Sequence, residues 1–97
     1  MIVSFGNKGT EDVFNGRRTR DANKVCPPVL WRVARRKLDR LDSVLRLNEL
    51  AFPPGNRLES LRGDRRGQHS IRINEQYRIV FVWTDAGPTA VEIVDYH

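Results

Sequence analysis

The chain has a single cysteine and only two histidines among its 97 residues. Cys26 has no partner for an internal disulfide, and with His69 and His97 as the only imidazoles no ligand set falls at zinc spacing. Neither a metal nor another cofactor is expected. No apolar run approaches the roughly 18 residues of a membrane span. The opening MIVSFGNKG lacks a basic head followed by an apolar stretch. The expectation is a soluble cytoplasmic protein with no membrane association. A glycine-rich phosphate loop, a paired-carboxylate signature and a Ser/His/Asp set at a nucleophile elbow are all missing, which sets aside the common nucleotide-binding and hydrolase chemistries. Residues 80–97 contain Asp85, Glu92 and Asp95 but no Lys or Arg.

The basic residues are therefore concentrated elsewhere. There are 17 Lys+Arg against 12 Asp+Glu, a net charge of +5 and a pI near 10.1. Fourteen of the 17 are Arg, and all lie at or before Arg78. Arg presents a planar fork that grips phosphate bidentately, so this usage fits a polyanionic partner; it also fits a solvated surface in which Arg replaces Lys. The length bounds the answer to one domain over residues 1–97, burying about two-thirds of its surface on folding.

Ile2, Val3 and Phe5 before Gly6 read as an N-terminal strand. Thr10 followed by Glu11 and Asp12 reads as the cap of a short helix. The polar run 15–26 reads as a mobile loop, and Pro27-Pro28 suit the first turn of a second helix. From Val29 to about Leu47, Leu30, Ala34, Leu38, Leu41 and Leu45 recur at helical spacing, with Trp31, Val33 and Val44 widening the stripe. Arg32, Arg35, Arg36, Asp39, Asp42 and Arg46 take the opposite side, which reads as a solvated charged face. Phe52-Pro53-Pro54-Gly55-Asn56 closes the helical stretch.

Beyond it the period changes to two. Strands are expected over Arg57–Leu61, Gln68–Asn74, Tyr77–Thr84 and Thr89–Tyr96. The fold class is α+β: an N-terminal strand and two helices packed on a mainly antiparallel sheet that ends in a four-strand meander. A three-residue turn at Asn74-Glu75-Gln76 pairs Ile71 with Ile79 and sets Arg72 against Arg78. Like charges directly opposite are destabilising, so that face is expected to be wet and offered to an anion.

The remaining chemistry-bearing residues are Asp95-Tyr96-His97 and the arginines of the last strands. His97 titrates near neutrality and can move a proton that Tyr96 or Asp95 could orient; a terminal histidine with no role is the alternative. His69, beside Ile71 and Ile73, reads as a packed, hydrogen-bonded core histidine.

Together, Leu58-Glu59-Ser60-Leu61-Arg62-Gly63-Asp64-Arg65, Gly67 to Asn74, Gln76-Tyr77-Arg78-Ile79 with Phe81 and Trp83, and Val91 to His97 resemble the HigB toxins of the RelE/ParE toxin superfamily. Lys8-Gly9-Thr10-Glu11 and Arg36-Lys37-Leu38-Asp39 extend the resemblance over nearly the whole chain. It implies a RelE-like fold and the toxin of a type II toxin–antitoxin pair. The implied activity is a ribosome-dependent endoribonuclease that cuts messenger RNA without a metal, the ribose 2′-OH attacking the adjacent phosphate. Carried over, Asp95, Tyr96 and His97 match the catalytic C-terminal motif, Arg78 the strand arginine at the phosphate, and Arg62 the basic residue of the Gly-Asp turn. Arg65, Arg66 and Arg72 are the further phosphate-binding candidates. Glu59, standing where some relatives carry histidine, is the candidate general base. The implied partners are a HigA-like helix-turn-helix antitoxin, the ribosome with its mRNA, and operator DNA reached through the toxin–antitoxin complex. The antitoxin is expected on the helical face around Arg32, Arg35 and Arg36 or on the 15–26 segment. The alternatives are a ParE-like toxin that poisons gyrase without catalysis, and a binding module serving operator autorepression.

Overall fold

The computed structural model describes residues 1–96; the candidate His97 lies outside them. Three α-helices, α1 (Lys8–Phe14), α2 (Arg20–Val25) and α3 (Trp31–Ser43), precede an antiparallel sheet of β1 (Glu59–Ser60), β2 (His69–Arg72), β3 (Tyr77–Thr84) and β4 (Gly87–Asp95). The strands lie in the order β1-β2-β3-β4. The α+β class and the meander are as read from the sequence.

The helices differ from the expectation in instructive ways. α1 begins at Asn7, whose side chain accepts from the Thr10 N–H at 2.9 Å. Thr10 itself is fully buried, and its hydroxyl accepts from the Ile93 N–H at 2.9 Å, tying α1 to β4. The 15–26 segment is not a loop throughout: α2 occupies half of it, capped by Thr19, whose Oγ1 accepts from the Ala22 N–H at 3.0 Å. One buried alanine, Ala22, with the half-buried Val25 and buried Cys26 behind it, suffices to dock so short a helix. α3 buries Ala34, Leu38 and Leu41, the i, i+4, i+7 positions of one stripe. It stops at Ser43, because Val44 turns extended and its side chain enters the core at 3% exposure. Leu45, counted in the stripe, is thereby thrown outward and is 87% exposed. Glu49 caps the one-turn 3-10 helix that follows, accepting from the Leu45 and Arg46 N–H groups at 2.8 Å each, and these bonds hold its carboxyl below the usual range.

In the sheet, Ile71 pairs with Ile79 and Arg72 with Arg78, the register set by the three-residue turn. Ile79 in turn pairs with Ile93. This row, with Phe81 and Val91, forms the inner face that packs on Val13, Leu38, Leu41 and Leu50. The N-terminal segment makes a single parallel bridge, Phe5 to Val91, rather than a full strand. Its backbone runs beside β4 through Val3 N–H to Pro88 O and Gly6 N–H to Val91 O, both at 2.8 Å. Among the described residues no helix is long and apolar enough to cross a membrane.

Candidate active site

Most of the candidate site residues lie on the outer face of the sheet. Glu59 pairs with Ser70, Ser70 with Val80, and Val80 with Glu92, so these four form one row across all four strands. The next row is Arg72, Arg78 and Val94. Residues two apart on a strand share a face, so both rows look the same way.

This face is only half wet, which departs from the expectation. Val80 and Ser70 are buried at 0% and 2% exposure. The 61–68 connection beside this row is closed by the Leu61 N–H donating to the Gln68 carbonyl at 2.9 Å. From it Arg65 reaches back over the sheet to Glu92 at 3.3 Å and to Gln68 at 3.2 Å. Arg65 therefore latches the loop, while Arg62 and Arg66, flanking the same 3-10 turn, are exposed and without an ion pair among the described residues.

Arg72 and Arg78 meet at an awkward position. The Ile73 N–H donates to the Tyr77 carbonyl at 3.0 Å, which makes 73/77 a hydrogen-bonded pair and 72/78 the intervening non-hydrogen-bonded one, where side chains stand closer. The two guanidiniums diverge. Arg72 turns to the exposed Glu75 at 3.8 Å. Arg78 donates to the Asn74 carbonyl and, at 3.2 Å, to that of Tyr77. Its Cζ lies 5.5 Å from the centroid of the Tyr96 ring, a cation–π geometry that holds the fork in place.

Asn74 builds this arrangement, and sequence reading took it only for a turn residue. Its Oδ1 accepts from the N–H groups of Gln76 and Tyr77 at 2.9 and 2.7 Å, shaping the turn, while its carbonyl receives Arg78. An Asn that opens a three-residue hairpin turn is the signal that could have found it. Tyr96 reaches the site because its N–H donates to the Gln76 carbonyl at 2.6 Å, extending the β3–β4 ladder by one residue.

Arg78, Tyr96 and Arg72 are thus brought together, with Glu59 on the same face nearer the sheet edge. Asp95 is not with them: it pairs with Tyr77, whose side chain points the other way from Arg78, and accepts from Gln76 Nε2 at 3.1 Å. His69 lies on the inner face, stacked on Phe81 with ring centroids 6.2 Å apart. It is packed as expected, but its buried Nδ1 has no hydrogen-bond partner among the described residues. Among those residues no three His, Cys, Asp or Glu side chains converge as metal ligands would.

The chain is similar to known proteins over most of its length. The family described as RelE-like toxin of type II toxin–antitoxin system HigB matches residues 3–97. The chain belongs to the HigB-like toxin family. Toxin HigB-1 of Vibrio cholerae serotype O1 is 35% identical over 85 residues, 88% of this chain and 86% of that toxin. An uncharacterized protein of Haemophilus influenzae is 38% identical over 61 residues, 63% of this chain and 60% of its own length. In this HigB-like toxin Arg72, Arg78 and Tyr96 share one end of the outer sheet face, while Arg62 and Arg66 stand exposed on the connection between β1 and β2.

Proposed function

We propose that this toxin is an endoribonuclease that cuts messenger RNA in the ribosomal A site and so arrests translation. The observation that carries the reading is the Arg78 fork fixed between the Asn74 carbonyl and the Tyr96 ring, on a sheet face that also offers Arg72 and Glu59.

In the reaction the ribose 2′-oxygen bonds to phosphorus as the P–O5′ bond breaks, giving a 2′,3′-cyclic phosphate and a 5′-hydroxyl. One proton must leave the 2′-OH and one must reach O5′. Negative charge grows on the non-bridging oxygens, and an immobilised guanidinium fork offsets it without reorganising. Arg72 supports Arg78 from the paired position, and Arg62 and Arg66 hold the flanking backbone. Glu59 is suited to accept the 2′ proton, and His97, within the C-terminal motif, to supply the other. So small a set is adequate when the ribosome holds the RNA bent for in-line attack, since positioning alone contributes roughly 7–11 kcal/mol. The proposed partners follow: ribosome-bound mRNA, a HigA-like helix-turn-helix antitoxin, and operator DNA through the complex with it.

Primer extension of a reporter transcript after brief expression tests this. Cuts within the translated frame are expected from the wild type and not from His97→Ala. DNA damage with intact transcripts would replace the reading with gyrase poisoning.

A further inference from the structure

The helix side of the domain has its own basic centre. The turn after α1 and the exposed side of α3 enclose a pocket of about 420 Å³, with Val13, Pro28 and Trp31 among its apolar lining. Five arginines ring it, Arg17 and Arg18 from the turn and Arg32, Arg35 and Arg36 from α3, against one acid, Asp39. The helix positions are i, i+3 and i+4, neighbours on one surface.

The rim is fixed in two places. Trp31 Nε1 donates to the Cys26 carbonyl at 3.0 Å, so the polar edge of the indole is satisfied within the protein. Arg35 lies over Gly16, where φ is +73° and a Cβ would fall 2.9 Å from the guanidinium. Glycine suits that left-handed backbone, and its missing side chain leaves room for the Arg35 guanidinium to approach. Arg17 leans toward the buried Asp12 at 3.9 Å. The other four guanidiniums have no ion pair among the described residues, and all five arginines are exposed.

We infer that this pocket docks an acidic segment of the antitoxin, with carboxylates on the arginine rim and one apolar side chain on the Trp31 floor. Charge complementarity selects the occupant: five positive groups about a concavity demand several negative ones, and an apolar floor rewards a hydrophobic anchor. A nucleic-acid backbone is tracked by a basic stripe along a groove, whereas these guanidiniums surround a pocket. The inference deepens the toxin reading and rests on the pairing of such toxins with an antitoxin, not on RNA cleavage. α3 packs on the inner face of the sheet, so a segment seated here leaves Arg78 and Tyr96 uncovered.

The test is Arg32→Glu/Arg36→Glu, both exposed and outside the core, with Arg57→Glu as a charge control. Affinity is measured by titration against the antitoxin, a short Asp/Glu-rich peptide carrying one leucine, and an RNA oligonucleotide of matched charge. The double reversal is expected to weaken antitoxin and peptide by about tenfold or more, against little change for Arg57→Glu. Growth inhibition without antitoxin is expected to persist, while neutralisation by antitoxin is relieved. Unchanged affinity for antitoxin and peptide would overturn the inference. Matched RNA that binds as tightly and loses as much, or loss of toxicity without antitoxin, would make the pocket a nucleic-acid surface and overturn it too. Wild-type transcript cleavage is read separately, so failure of the nuclease reading is distinguishable from failure here.

Discussion

Arg78→Ala should separate activity from stability. In the folded protein the side chain makes two hydrogen bonds to backbone carbonyls and one cation–π contact. A partly exposed cation–π contact contributes about 0.5–1 kcal/mol, and a net hydrogen bond about 1 kcal/mol. Against these stands the repulsion of Arg72 at the paired position, up to about 1 kcal/mol and relieved by the substitution. The net loss of stability is then about 1.5–3 kcal/mol, a fall in Tm of roughly 6–24 °C for a domain of this size, which is a fraction of the about 5–15 kcal/mol typical of a folded domain. Catalysis loses a fixed donor at the developing phosphate charge, typically about 10²–10³ in rate. Arg78→Lys keeps the charge without the fork and should recover only part of the rate. Single-turnover cleavage on programmed ribosomes, beside thermal unfolding of the same preparations, reads both quantities. A variant that cleaves at the wild-type rate removes Arg78 from the site. One that is unfolded at assay temperature shows that its weight is structural and refutes the reasoning.

Gly9→Ala should destabilise, although alanine is the better helix former by about 1 kcal/mol, because the new Cβ would sit 2.3 Å from the Asp21 carbonyl oxygen of α2; backbone cannot yield as a side-chain tip does, so a Tm below wild type is expected and a rise would contradict the packing. Asp12 is fully buried, and its carboxyl is held below its ordinary value of 3.8 chiefly by the Thr19 hydroxyl at 2.6 Å, with Lys8 and Arg17 adding to it. A lowered folded-state pKa contributes stability above the unfolded value that is lost as pH falls through the folded one. Urea midpoints should therefore drop as the solution is acidified below that ordinary value, and Asp12→Asn should flatten the drop. Burial pushes the Cys26 thiol up to about 11, so a maleimide at neutral pH should label the unfolded chain and leave the native one nearly unmodified; rapid native labelling would contradict its burial.

The sheet was legible because alternation is a direct record of which face is buried. Ile71, Ile73, Ile79 and Phe81 cannot be moved one position without exposing all of them, so register followed from the pattern. The helical half was less legible. Nothing in the spacing of Leu41, Val44 and Leu45 says that the chain leaves the helix at Ser43, because the cause is tertiary: Val44 fills the core better extended. α2 escaped notice because so short a helix docks through very few apolar side chains, and its polar remainder reads as loop. The candidate site could be named from its residue types, but which of its arginines are held in ion pairs could not. That Arg65 is held by Glu92 while Arg62 and Arg66 are open depends on where a loop folds back. The α3 arginines looked like a solvated face because the turn that completes their pocket, at Gly16 and Arg17, is distant in sequence.

One backbone irregularity connects the core to the site. Tyr77 pairs with Asp95 and Val80 with Glu92, but Val82 pairs with Thr89, so β4 carries one extra residue opposite Phe81. The bulge is marked by Ala90, at φ 51°. Had the pairing of Val82 with Thr89 continued without it, Ile79 would face Glu92 and Arg78 would face Ile93. Since side-chain direction alternates strictly, Glu92 would then point under the helices as an unpaired buried charge and Ile93 would be exposed. Arg65 would lose the carboxylate that latches its loop. Tyr96 would take the inner side, away from Arg78. The extra residue resolves all of these at once: it returns Ile93 to the core, brings Glu92 out to Arg65, and sets the Tyr96 ring beside the Arg78 guanidinium. The left-handed backbone at Ala90 is thus a condition of the candidate site as much as of the core.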